Sequence, residues 1–156
     1  MEPLLVTDLS VPLRFLLGVA AGVVATLSMD AVMPRLSEGE TPPFVAAGVL
    51  TDTAPRNAPG RLAAAAHYLA GGLTGPLFVW LLFATEALLG GPSLPVTLLS
   101  GTVLYVLMVG FFAVVVLPQS LVPSSRVGRI RRDWAVSAAA YLFVLVPLVG
   151  VGSRVL

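Results

Sequence analysis

Residues 17–36 read LGVAAGVVATLSMDAVMPRL, an apolar run with an aspartate close to its end. In a helix Gly18, Gly22, Thr26 and Asp30 recur at four-residue steps and line one slowly drifting face that is first small, then polar, then charged. The stretch from Phe15 to Met33 supplies about 19 residues, close to the ~20 that cross a hydrocarbon core. Pro34 and Arg35 end it. One charged group inside a run of this length makes the chain a membrane protein with something polar built into its first span.

Composition agrees. Of 156 residues, 57% are hydrophobic and 11% charged, with a mean hydropathy of +0.96; an ordinary soluble domain is about 25% charged. A net charge of +1 offers no field to steer a polyanion, so no nucleic-acid partner is expected. The absence of cysteine excludes disulfides, thiolate nucleophiles and cysteine-held zinc or iron–sulfur clusters. All the basic residues are arginine, a coding bias or a fit to lipid phosphate. Met1 to Arg14 carries Glu2 and Asp8 and lacks the basic start of a secretory signal, so this end is expected to be retained.

Three further spans follow, giving an all-α bundle of four antiparallel transmembrane helices in one domain. They are expected at 15–33, 62–89, 96–117 and 134–151, with Pro76 and Pro147 as kink positions in the second and fourth. The 34–61 connection is polar and proline-rich, with a short helix expected at 42–50, entered through Thr41 and Pro42. It is too short to span, and can lie on the surface, re-enter the bilayer or cover an opening. Gly90, Gly91 and Pro92 make a tight turn before the third span. A second connection, 119–133, holds Arg126, Arg129, Arg131 and Arg132 as a basic loop. With Arg35, Arg56 and Arg61 in the first connection, the positive-inside rule makes both connections cytoplasmic and both termini external, in a multi-pass protein of the cell membrane. Trp134 fits an interfacial aromatic position, and Glu86 the opposite interface.

Asp30 lies about one turn before Pro34, and His67 one to two turns after Arg61, so antiparallel neighbours bring them to similar depth. His67, Gly71 and Gly75 also follow four-residue steps. Set against the first span, Thr26 comes opposite Gly71 and Gly22 opposite Gly75, and small residues facing small ones allow close backbone approach. Three readings of Asp30 and His67, with Thr26 beside them, stay open: a proton or ligand site, a structural hydrogen-bonded lock, or an aspartate reaching the headgroups or paired with Arg35 or Arg61. No catalytic or metal-ligating set is expected, since Asp30, His67 and Glu86 cannot converge if Glu86 lies at the far surface. No cofactor is expected either; haem would need Met29, Met33 or Met108 as a second ligand beside the single histidine.

The expected role is a non-enzymatic accessory or interaction subunit in the lipid bilayer, as a homo-oligomer or part of a larger membrane complex. The alternatives are a small proton-linked transporter using Asp30 and His67, and a lipid-acting intramembrane enzyme with His67 as base and the arginines holding phosphate. Gly18 to Pro34 resembles Gly101 to Pro118 in length and in its proline stop, which suggests a degenerate two-hairpin repeat in which Val114 stands for Asp30 and Ala138 for His67. The stretches GVAAGVVATLSMDAVMPRL, GETPPFVAAGVL and HYLAGGLTGPLFVWLL resemble a family of uncharacterised small integral membrane proteins of archaeal type. That resemblance implies four spans, with Asp30, Pro34 and His67 in the shared pattern; the second hairpin matches in hydropathy alone.

Overall fold

Hydrocarbon offers backbone amides no water, so apolar runs of this length close their hydrogen bonds internally as helices. The computed structural model describes residues 3–155, with side chains from residue 10 onward; Glu2 and the side chain of Asp8 lie outside the described residues. The helices are α1 (Pro3–Val32), α2 (Thr41–Thr51), α3 (Gly60–Leu89), α4 (Leu94–Phe111) and α5 (Ser124–Gly152), with no strand among the described residues. Four segments, Ser10–Arg35, Gly60–Leu89, Leu94–Gln119 and Ser124–Gly152, are long and apolar enough to cross a membrane. The chain is an all-α bundle of the multi-pass membrane type.

Two boundaries differ from the hydropathy reading. The 119–133 stretch is not a basic loop: α5 starts at Ser124, directly after Pro123, and Arg126, Arg129, Arg131 and Arg132 sit on its first turns. Hydropathy marks where a helix leaves the apolar zone, whereas arginine is a good helix former, so the helix continues through the charged stretch. Span three, in turn, ends irregularly. α4 passes into a π-helical turn at Phe112–Val116 and a 3₁₀ turn at Leu117–Gln119. Pro118 has no N–H to give to the preceding turn. Nearby carbonyls take other donors: Trp134 Nε1 donates to Met108 at 3.2 Å, Arg131 to Ala113 at 3.1 Å and the Gln119 amide to Val115 at 2.7 Å. Trp134 lies half-buried against Phe112, ring centroids 4.8 Å apart. Pro76 and Pro147 both lie inside continuous helices.

α1 and α3 form the tightest pair. A Cβ built on Gly22 would stand 2.7 Å from the Gly71 carbonyl oxygen, and one on Gly18 3.0 Å from that of Gly75. The four glycines thus let two backbones touch, which side chains of any size would prevent. α5 packs on the other side of α1, where Ala21, Ala25 and Met29 meet Tyr141, Leu145 and Val149 in the core. The second hairpin has no such backbone contact: Gly101 faces a side chain, that of Val146, and a groove of 730 Å³ opens between α4 and α5. Both arginine-bearing connections lie at the same end, because the segment between α1 and α2 is tied directly to α5.

Candidate functional site

Asp30 occupies the last turn of α1 and His67 the second turn of α3. The hairpin brings them together, with His67 Nε2 2.7 Å from Asp30 Oδ1. The other carboxylate oxygen, Oδ2, accepts the Tyr68 hydroxyl at 2.7 Å. Tyr68 escapes a face-by-face reading, since adjacent helical residues point about 100° apart; its length carries the hydroxyl back to Asp30. Because both carboxylate oxygens accept, the geometry places the histidine proton on Nε2 and leaves Nδ1 as the free ring nitrogen. Arg35 and Arg61 make no ion pair with Asp30. Thr26 donates to the Gly22 carbonyl at 2.8 Å and packs on Gly71, so it borders this cluster without bonding to it.

His67 stands between two spaces. Toward the connecting loop lies a polar recess of 370 Å³ walled by Asp30, Glu40, Tyr68 and Phe44. On the bundle side lies an apolar cavity of 220 Å³ bordered by Met29, Met108, Phe111, Phe112, Trp134 and Tyr141. His67 contributes to both walls. The Asp30 side chain is 31% exposed and that of His67 10%, so the carboxylate faces the recess while the imidazole is nearly enclosed. The π-helical turn forms part of the cavity wall; such turns recur at functional sites. Pro42, Pro43 and Ala46 of α2 complete the cavity, and Val45 and Ala47 of the same helix are fully buried. α2 thus covers the loop-side edge of the cavity.

What holds α2 in place is polar and was absent from the sequence reading. Glu38 pairs with Arg126 through two bonds, Nε to Oε1 at 2.8 Å and Nη2 to Oε2 at 2.7 Å, and Thr41 donates to Oε2 at 2.7 Å. Asp133, wholly buried, accepts the Glu38 N–H at 2.8 Å and the Ser37 hydroxyl at 3.0 Å on Oδ2, and Arg132 at 2.8 Å on Oδ1. Arg126, Arg131 and Arg132 are thus engaged within the protein. At the opposite end, Glu86 lies 3.7 Å from Arg14, whose guanidinium sits over Phe83 at 5.3 Å.

The Arg126 bond, aided by Thr41, holds the Glu38 carboxyl below its ordinary value of 4.5 against the opposing effect of burial. A carboxyl lowered in the folded state contributes stability that is complete above the unfolded value and is lost as pH falls through the folded one. The melting temperature in mild detergent is therefore expected to hold steady down to pH of about 5 and to drop below it. Glu38→Gln should start lower and flatten that acid limb. Parallel acid limbs in the two proteins would remove Glu38 from the account.

Comparison with protein-family models, with curated proteins and with solved structures gave no match for this chain.

Proposed function

We propose that the chain is a small, non-enzymatic, proton-linked membrane carrier in which Asp30, His67 and Tyr68 form the proton-exchange site. The observation that supports it is the position of His67, a single ring in the walls of both a recess open to the loop, where Asp30 and Glu40 also stand, and an apolar cavity on the flank of the bundle. Imidazole is the side chain suited to gaining and losing a proton near neutrality, and the groups facing it are Asp30 on α1, Tyr68 on α3, Glu40 before α2 and Tyr141 on α5. The carboxylate is less enclosed than the ring, with its side chain 31% exposed at the edge of the recess. The arginine distribution supports a cell-membrane protein with the α2 side cytoplasmic and both termini outside.

In proteoliposomes an imposed pH gradient should be dissipated by the wild-type protein and held by Asp30→Asn and His67→Gln. Proton flux that survives in both folded variants, or a wild type that carries none, would make the pair a lock and end the carrier reading.

An accessory role in a larger assembly, or self-association, is favoured by a different observation, the apolar α4–α5 groove left open on the flank of the bundle. Native mass spectrometry from mild detergent separates the two: a partner or a second copy retained on the chain supports assembly, and a bare monomer removes it.

A further inference from the structure

Three hydroxyls border the apolar cavity, and each has already given its proton to a backbone carbonyl: Thr26 to Gly22 at 2.8 Å, Thr74 to Ala70 at 2.7 Å and Tyr141 to Gly71 at 2.6 Å. Only lone pairs remain on those oxygens. His67 is in the same condition. Its Nε2 proton is engaged by Asp30, so in the neutral ring Nδ1 also offers a lone pair. The polar atoms around the cavity are therefore acceptors. A ligand that brought a carbonyl or carboxylate would meet no donor, whereas an N–H would find only acceptors.

The rest of the wall points the same way. Trp134, Phe111 and Phe112 contribute aromatic rings to it, and Met29 and Met108 polarizable thioethers. Aromatic faces attract cations, most strongly where water is excluded. Behind His67 stands the Asp30 carboxylate, which supplies negative charge without entering the cavity. The volume suits such a ligand: an engineered cavity of about 150 Å³ holds benzene, and 220 Å³ accommodates one ring with a short amine-bearing arm.

We infer that the cavity between α1, α3, α5 and the π-helical turn is a binding site for a single-ring lipophilic amine, held as the ammonium ion with N–H donated to His67 and the neighbouring hydroxyl oxygens. The step is non-covalent: the ammonium keeps its proton, and no bond is made or broken. A proton on His67 converts Nδ1 to a donor and places a like charge beside the ammonium, so amine and proton exclude one another. This last feature rests on the proton-exchange reading; the ligand class rests on the acceptor-only wall.

The four methionines make the test direct, since Met29 and Met108 border the cavity and Met33 borders the polar recess instead. In methyl-labelled protein in nanodiscs, benzylamine near pH 8 should shift the Met29 and Met108 signals saturably. Toluene and benzyl alcohol should need at least about tenfold higher concentration. Asp30→Asn, with an otherwise native methionine spectrum, should cut the advantage of benzylamine over toluene to about threefold or less. His67→Gln, whose amide can still reach Asp30, serves if Asp30→Asn does not fold. Toluene saturating at the same concentration as benzylamine overturns the inference, as does an amine advantage unchanged in both variants. Unmoved methyls in protein that dissipates a pH gradient would remove the amine site and leave the proton-exchange site standing. Amine binding in protein that carries no proton would do the reverse.

Discussion

Gly75→Ala is expected to destabilise the protein by about 2–3 kcal/mol, the range of overpacking in a close-packed interior, while Gly72→Ala three residues away should be neutral or slightly stabilising. A Cβ on Gly75 would run into the Gly18 carbonyl oxygen, with the Gly18 carbonyl carbon at 2.6 Å and the Gly22 Cα at 3.2 Å. Every one of those atoms is backbone, so no rotamer can give way and α1 and α3 must move apart. A Cβ on Gly72 has only a Val23 methyl near it, at 4.0 Å. That change keeps the contact and removes a helical glycine, a gain of about 0.5–1 kcal/mol. Unfolding in mixed micelles followed by tryptophan fluorescence measures both. Separation of the helices also draws Asp30 away from His67, so the Gly75 variant should lose the ¹⁵N signature of the paired ring. Equal effects at the two glycines would mean that α1 and α3 are not in backbone contact.

The same contrast shows what a sequence can give here. Spacing alone aligns Gly18, Gly22 and Thr26 with Gly71 and Gly75, because four-residue periodicity and an antiparallel turn leave few other registers for two small-residue faces. Depth counted from Pro34 and Arg61 likewise puts Asp30 and His67 on one level. Tyr68 was hidden because its hydroxyl acts a full side-chain length from its Cα. Asp133 was hidden for a different reason: after Arg131 and Arg132 it reads as one member of a solvated charge run, and only tertiary packing shows it to be wholly buried. Glu38 and Arg126 are 88 residues apart, beyond any local pattern. The π-helical turn depends on which donors come within reach of the carbonyls ahead of Pro118, and two of the three, Arg131 and Trp134, belong to another helix.

Asp133→Ala should cost on the order of 3 kcal/mol, since it orphans a buried backbone N–H and removes bonds to a charged acceptor. The carboxylate is the one group that satisfies the Glu38 N–H, and it holds the Ser37 hydroxyl through the same oxygen. Asp133→Asn should cost only about 1 kcal/mol. Its amide oxygen can keep both of those contacts, and Arg132, 66% exposed, can turn to water rather than face the new NH₂ group. The alanine variant should therefore differ from wild type most in the segment it releases: hydrogen exchange and limited proteolysis are expected to rise across residues 36–58, which include α2. Because Glu38 is fixed twice, by its N–H to Asp133 and by its carboxylate to Arg126, the two anchors bear on one residue and should couple. Asp133→Ala combined with Glu38→Gln is then expected to fall short of the sum of the single losses by at least about 0.5 kcal/mol. Additive losses, with exchange in 36–58 unchanged, would mean that the covering helix is held by its apolar contacts alone. If the losses couple, Glu38 is the residue where both charged anchors of the cover meet, with Ser37 beside it on Asp133, and loosening it frees the loop side of the His67 cavity.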